Sequence, residues 1–341
     1  MTTHAQLAEL ARDAVAQACY VCRQVQRAQG EILRLIKDDN SPVSVADFAS
    51  QAIIGHALRG ALGKDVILVG EEDSATLRKD ESSPLRDAVL AAVREVWPDC
   101  TEDDMLGAID VGAGDTHHQA FWTLDPVDGT KGFLRNQQYA IALAFVERGA
   151  PVIGVLGCPN LARDFSAPLD EPDPHGTIYV AARGTGLWEY PADKPHEKGT
   201  EIKRVVHERD QPVSICASVE KAHSSEPAMD RVIEHLREQG VAIAEPTRLD
   251  SQAKYAVVAR GQGDAYIRLP TKKGYVERIW DHAAGTIVAS EGGAFVTDIF
   301  GHVLDFSTGR GLEKNKGIVC APARLHGMII EAIQSLELHR A

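Results

Sequence analysis

WTLDPVDGTKGF, residues 122–133, sets two carboxylates, Asp125 and Asp128, three residues apart and follows them with a glycine, a threonine hydroxyl and a lysine. The apolar run Ala120-Phe121-Trp122 reads as a strand that delivers these groups, and DPVDGT reads as a tight turn. Pro126 fixes one backbone angle there, and Gly129 relieves the steric limit where the chain bends. Hard divalent cations such as Mg²⁺ take oxygen ligands, commonly one or two carboxylates together with a substrate phosphate. A rigid turn carrying two carboxylates, with the Val127 carbonyl free between them, is a platform for two adjacent metals. A solvated acidic turn, with Asp128 and Thr130 as helix caps, is the plainer alternative. The rest of the chain has to decide between them.

The chain has 341 residues, enough for one large domain or two of ordinary size, each with a full core. Its 36 basic and 49 acidic residues leave a net charge of −13, which argues against nucleic-acid polymers or an anionic membrane as the main partner. A small phosphate ester remains possible where metals and a few local cations reverse the field. No apolar run approaches the roughly 18 residues of a transmembrane helix, and the N-terminus lacks the apolar centre of a signal peptide. Of Cys19, Cys22, Cys100, Cys158, Cys216 and Cys320, only the first two form a close pair, and no second pair supplies the further ligands zinc requires. Buried reduced thiols and a cytoplasmic location are the expectation.

Apolar residues at helical spacing predict an opening helix from residue 6 to about 35, broken by KDDNSPVSVAD. A second helix begins near Asp47, which the helix dipole would favour there, and buries Ala49, Ala52, Ile53 and Ala57, with His56 as a packed core histidine. Residues 66–69 read as a buried strand ending in Gly70-Glu71-Glu72-Asp73. Three acids in that position are costly without a counter-charge: a loop explains them if exposed, a metal if they converge. A helix over 85–97 leads to a polar surface loop over 98–114. Hairpins follow over 139–158 and 177–188, and 190–211 reads as a linker. Beyond it strands (213–217, 241–244, 264–269, 294–298, 316–320) mix with helices (227–238, 251–260, 281–290 and a last one from Arg324). The first part is thus helices on an antiparallel sheet, the second an α/β layer.

The second part adds isolated polar groups: His223 in EKAHSS, Ser251 and Lys254 in LDSQAK, Arg268 in YIRLP and Asp281 in IWDHAAG. Singly, each is a cap or a solvated side chain. Together they fall at strand ends and helix starts, where α/β sheets bind ligands.

SPVSVAD with Asp47, GEED at 70–73, DPVDGTKGF at 125–133 and WDHAAG at 280–285, in this order, resemble the lithium-sensitive, magnesium-dependent phosphatase superfamily of inositol monophosphatase and fructose-1,6-bisphosphatase. GCPNL (157–161), VEKAHSS (219–225) and LDSQAKYAVVARGQGDAYIRLP (249–270) extend the likeness over nearly the whole chain and are similar to the 3′(2′),5′-bisphosphate nucleotidases. Val127 stands where isoleucine is commoner, a harmless change if that residue acts through its carbonyl. The resemblance implies an α+β and α/β fold, a layered αβαβα sandwich, with an N-terminal α+β domain over 1–208 and a C-terminal α/β domain over 209–341. It implies Glu71, Asp125, Asp128 and Asp281 as metal carboxylates, with the Val127 carbonyl as a further ligand. Asp47 would polarise Thr130, which activates the attacking water, while His223, Ser251, Lys254 and Arg268, with Thr130 and Asp281, hold the nucleotide.

Two to three Mg²⁺, inhibition by Li⁺ and a place in sulfur assimilation follow from the same resemblance, and a monomer is the expectation. So does hydrolysis of adenosine 3′,5′-bisphosphate to AMP, with 3′-phosphoadenosine 5′-phosphosulfate as a second substrate. Phosphate monoesters hydrolyse so slowly that charge neutralisation and a generated nucleophile are both needed, which paired metals provide. An inositol polyphosphate 1-phosphatase or inositol monophosphatase would share every metal ligand. A catalytically silent sensor of nucleotide or cation is a further alternative, and a calcium module is disfavoured by the dispersal of the ligands.

Overall fold

The computed structural model describes residues 2–30, 42–203, 211–219, 226–272 and 274–338. Helix α1 (His4–Arg27) opens with a capping box: the Thr3 backbone N–H donates to Gln6 Oε1 at 2.9 Å, and the Gln6 N–H donates to Thr3 Oγ1 at 3.3 Å. Its stripe of Leu7, Ala11, Val15, Ala18, Cys22 and Val25 is buried. The expected continuation past residue 30 lies outside the described residues. Helix α2 (Pro42–Leu62) lies against α1. It starts at Pro42, a residue suited to the first turn, so Asp47 sits inside the helix and not at its N-terminus.

Strands β1 (Leu68–Gly70), β2 (Ala120–Asp128), β3 (Ala140–Glu147), β4 (Ala150–Cys158), β5 (Thr177–Ala182), β6 (Leu187–Pro191) and β7 (Thr200–Ile202) form one sheet in chain order. β1 pairs parallel to β2 and the remaining pairs are antiparallel. One face (Leu124, Ile141, Leu143, Val155, Ile178) packs on α1 and α2; the other (Phe121, Ala142, Ala144, Tyr179, Ala181) packs inward. A sheet covered on both faces explains why β3, β4 and β5 read as continuous apolar runs.

The second sheet runs β11-β12-β10-β8-β9, from β8 (Ile215–Ala217), β9 (Thr247–Arg248), β10 (Ala265–Arg268), β11 (Phe295–Thr297) and β12 (Ile318–Ala321). Between the sheets lie the helices Ala253–Ala259 and Ala283–Glu291, whose Tyr255, Ala256, Ala284 and Ile287 share a core with Phe121 and Ala144 on one side and Tyr266 and Cys320 on the other. Helices Glu226–Glu238 and Ala323–Ser335 cover the outer face through Val232, Leu236, Ile329 and Ile333. The layers therefore run αβαβα, as expected. With Ser83–Arg94, Glu102–Ile109 and Thr130–Leu134 as α3, α4 and α5, these four helices are α6 (Glu226–Glu238), α7 (Ala253–Ala259), α8 (Ala283–Glu291) and α9 (Ala323–Ser335).

Several local expectations are corrected. The polar stretch 98–114 contains α4, capped by Thr101 with Asp104 and buried through Met105, Leu106 and Ile109; its three leading acids and short length hide the period. DPVD is not a turn but the end of β2. The expected linker carries β7, paired with β6, while residues 204–210, and with them the 208/209 boundary, lie outside the described residues. The expected strand 241–244 contributes one bridge, Ile243 to Val213, and pairing resumes at β9. His56 is exposed and stacks on Trp97 at 3.6 Å between ring centroids, because it borders the apolar stripe without entering it. All six cysteines are buried and free, and no helix among the described residues is long and apolar enough to cross a membrane.

Gly154 in β4 marks where α8 meets the first sheet: a Cβ there would lie 2.2 Å from Ile287 Cγ2 and 2.7 Å from the Ala284 carbonyl oxygen. Gly154→Val should therefore destabilise the fold by about 1–3 kcal/mol in urea titrations. Unchanged stability would contradict this contact.

Candidate active site

The site is assembled where β1 and β2 end. Asp125 pairs with Ala142 and Asp128 with Ala140, so three steps along β2 match two along β3. That extra residue is a bulge, and it places side chains on the same face that a regular strand would send to opposite faces. Beside it, the Glu71 backbone N–H donates to the Leu124 carbonyl at 3.2 Å, which extends the β1–β2 pairing into the GEED segment. A buried amide from α2 holds that segment: Gln51 Nε2 donates to the carbonyls of Glu72 (2.5 Å) and Ile109 (2.9 Å), and its Oε1 accepts from the Glu72 N–H at 3.1 Å. Asp47 lies one turn before Gln51 on the same helical face.

After Asp128 the chain passes through Gly129, with φ 91°, so that α5 can begin at Thr130. A Cβ on Gly129 would lie 2.9 Å from Ser251 Cβ, so close approach as well as conformation requires glycine. The two halves of the molecule meet here. The Gln252 backbone N–H donates to Asp128 Oδ2 at 2.6 Å, and Ser251, itself left-handed at φ 70°, accepts the Ala253 N–H on Oγ at 3.1 Å. The Ser251 hydroxyl hydrogen remains for another acceptor.

A cavity of about 400 Å³ is lined by Glu71, Asp125, Val127, Asp128 and Thr130 from the first part and by Ser251, Lys254, Arg268, Tyr275 and Asp281 from the second. Asp47 joins the group electrostatically. Burial raises its carboxyl well above the usual range, and the charges of Glu72 and Glu71 add to this. Burial likewise raises Asp125, with Glu71, Asp128, Asp281 and Asp47 adding. The Glu71 carboxyl is pushed up to about 7 by burial, Glu72 and Asp128. Asp281 is pushed up to about 7 chiefly by burial; His282 and Arg268 oppose the shift, while Asp128 and Glu71 add to it. Arg310, which donates to the Gly70 carbonyl at 2.5 Å and lies over the Trp280 ring at 4.7 Å, brings positive charge toward Glu71. Converging oxygen donors that resist ionisation together are the donor set that fits hard divalent cations.

The cationic side is also built, not incidental. Lys254 is buried, its Nζ 3.4 Å from the Leu249 carbonyl and 5.2 Å over the Tyr266 ring; burial lowers its pKa, opposed by Asp128 and Asp250. Arg268 Nε donates to Glu277 Oε1 at 2.8 Å, and Nη2 donates to the Tyr275 hydroxyl at 3.4 Å.

Of the sequence-derived residues, all but His223 and Asp47 line the cavity, and His223 lies outside the described residues. No hydrogen bond joins Asp47 to Thr130, which is exposed at the start of α5. Sequence reasoning missed Glu277, His282 and Tyr255. Glu277, Asp281 and His282 bring ligand atoms within 4.8 Å of one another. Yet Glu277 has both oxygens committed, Oε1 to Arg268 and Oε2 to His282 Nε2 at 3.2 Å, while His282 Nδ1 is 2.9 Å from the Tyr255 hydroxyl. The Glu277 carboxyl is held below its ordinary range: burial opposes ionisation, and His282 and Arg268 outweigh it. In YVERIWD only the position of Glu277, four residues before Asp281, hinted at a role, and no periodicity marks it as buried.

Residues 2–338 match the inositol monophosphatase family. The chain is 39% identical over 339 residues to a 3′(2′),5′-bisphosphate nucleotidase of Schizosaccharomyces pombe, covering 95% of this chain and 94% of that protein. It is 38% identical to one of Oryza sativa over 340 residues, covering 95% and 92%. Among solved structures it resembles CysQ from Bacteroides thetaiotaomicron, a bacterial member of the inositol monophosphatase family, with a TM-score of 0.60, 20% identity and coverage of 92% of this chain and 96% of that one. This chain belongs to the inositol monophosphatase family. Within it, the resemblance to the 3′(2′),5′-bisphosphate nucleotidases read from the motifs is borne out.

The raised carboxyls set a pH dependence. Unfolded, Glu71 and Asp281 titrate near the ordinary ~4; folded without metal, they titrate at about 7. Between those values the folded state binds more protons, so their contribution to stability is present below the unfolded pKa and lost as pH rises through the folded one. In chelator, thermal melts near pH ~5 should exceed those near pH ~8, by a margin that shrinks in Asp125→Asn, and Mg²⁺ should restore the melt at the higher pH. An identical pH slope in Asp125→Asn would contradict the coupling.

Proposed function

We propose that this protein is a Mg²⁺-dependent phosphatase that hydrolyses the 3′-phosphate of adenosine 3′,5′-bisphosphate to AMP and inorganic phosphate, with 3′-phosphoadenosine 5′-phosphosulfate as a second substrate. One observation carries the reading: a single cavity is lined both by the carboxylates Glu71, Asp125, Asp128 and Asp281 and by the cations Lys254 and Arg268. Such a cavity suits a ligand with two separated phosphates, and the names of the S. pombe and O. sativa relatives support the nucleotide. In this reading the units 1–208 and 209–341 contribute one half of the site each.

Glu71, Asp125, Asp128, Asp281 and the Val127 carbonyl would hold two to three Mg²⁺. When bound, Mg²⁺ neutralises the scissile phosphate and makes water a better nucleophile at neutral pH. Thr130 orients the attacking water, and Asp47, whose carboxyl has a raised proton affinity, draws the proton through the threonine hydroxyl. Lys254 and Arg268 hold the 5′-phosphate, with Arg268 offering a planar fork and Lys254 a point charge. Ser251 donates its free hydroxyl hydrogen to the nucleotide, and His223 belongs to the same nucleotide-holding group. Inhibition by Li⁺ is expected on the same reading.

Phosphate release with Mg²⁺ should favour adenosine 3′,5′-bisphosphate over inositol 1-phosphate and inositol 1,4-bisphosphate and leave AMP intact. Preference for an inositol phosphate would keep the carboxylates and discard the nucleotide roles. Asp47→Asn and Thr130→Ala should each lower kcat by about 10²–10⁴-fold with little change in KM. Should either variant retain wild-type kcat, the proton path through Thr130 is wrong.

A further inference from the structure

We propose that Glu277 is a positioning residue for substrate selection, acting through Arg268 to aim its guanidinium at the 5′-phosphate. This rests on the assignment of that phosphate to Arg268. Glu277 is 4% exposed, and its Oε1 accepts from Arg268 Nε at 2.8 Å. A guanidinium is a rigid plane, so fixing its Nε edge fixes the direction of the two terminal nitrogens that a phosphate would meet. Tyr275 confines the same group from another side, with its hydroxyl 3.4 Å from Nη2 and its ring centroid 6.0 Å from Cζ.

Glu277 is in turn held from behind. Its Oε2 lies 3.2 Å from His282 Nε2, and His282 Nδ1 lies 2.9 Å from the Tyr255 hydroxyl; His282 and Tyr255 are each 1% exposed. With both oxygens committed and almost no exposure, Glu277 does not reach into the cavity and acts only through its partners. His282 also follows Asp281 directly, so the carboxylate that aims Arg268 is braced by the neighbour of a cavity-lining aspartate. A free arginine would sample several rotamers, and each binding event would have to immobilise it. A substrate without a 5′-phosphate makes no use of the aimed guanidinium, so Glu277 should matter only for bisphosphates.

The test measures kcat and KM with Mg²⁺ for adenosine 3′,5′-bisphosphate and adenosine 3′-monophosphate in the wild type, Glu277→Gln, Arg268→Ala and the double variant. Glu277→Gln is expected to raise KM for the bisphosphate about tenfold, to leave the monophosphate kinetics within about twofold, and to add nothing once Arg268 is alanine. Equal losses on both substrates, an unchanged bisphosphate KM, or full additivity in the double variant would each overturn the proposal. If Arg268→Ala does not reduce the preference for the bisphosphate, the 5′-phosphate assignment itself fails, a distinct result that removes the proposal with it. Should Glu277→Gln not fold, Glu277→Asp keeps the charge but withdraws it from Nε; it is expected to raise the same KM, and an unchanged KM there is equally fatal.

Discussion

Mutual repulsion among carboxylates held at the end of β2 is the constraint that the surrounding structure answers. Asp47, Glu71, Asp125 and Asp281 each hold protons more tightly than free carboxyls, first because they are buried and then because neighbouring carboxylates add to the shift, Glu72 and Glu71 for Asp47 and Asp128 among those for the other three. In a flexible chain such groups would separate. Here the β2 bulge and the Gln51 clamp on Glu72 hold the backbone in place, and the Gln252 N–H holds the Asp128 carboxylate itself. The repulsion is relieved by a proton or a cation and not by movement, so the same rigidity that costs stability makes a cation-binding centre. The left-handed Ser251 belongs to the same economy of strain, at the point where the second part of the chain touches the first.

That contact depends on small side chains. Ala140, Ala142 and Ala144 of β3 and Gly154 of β4 let α7 and α8 lie close against the first sheet. On the helical side Ala284 meets Gly154 directly, and Gly285 lets α8 lie against α7, since a Cβ there would come 2.1 Å from the Tyr255 ring. The close approach carries the start of α7 to Asp128 and Asp281 to the cavity, while β10 delivers Arg268 from the second sheet. Asp125 and Asp128 thus come from one sheet and Arg268 from the other, and the helical layer between them, which carries Lys254 on α7 and Asp281 just before α8, sets their spacing. Glu277 adds a cross-link within the cationic half, tying β10 to the loop before α8.

Strand and helix periods, hairpin turns and the residues adjacent to Asp125 were legible in the amino-acid sequence because each depends on neighbours a few positions away. The resemblance of four ordered motifs then pointed to the layered fold and to a candidate site whose members, Asp47 and His223 apart, do line one cavity. Local pattern was less informative where burial by distant segments decided the outcome. It hid α4 behind three acids, read the end of β2 as a turn, placed Asp47 at a helix start and took His56 for a core residue. Convergence of the carboxylates, burial of Lys254 and the partnership of Arg268, Glu277, His282 and Tyr255 were decided only by tertiary structure. The physical reason is common to all three: pKa shifts, desolvation and hydrogen-bond partners depend on what lies across space, and a linear pattern carries no measure of that distance.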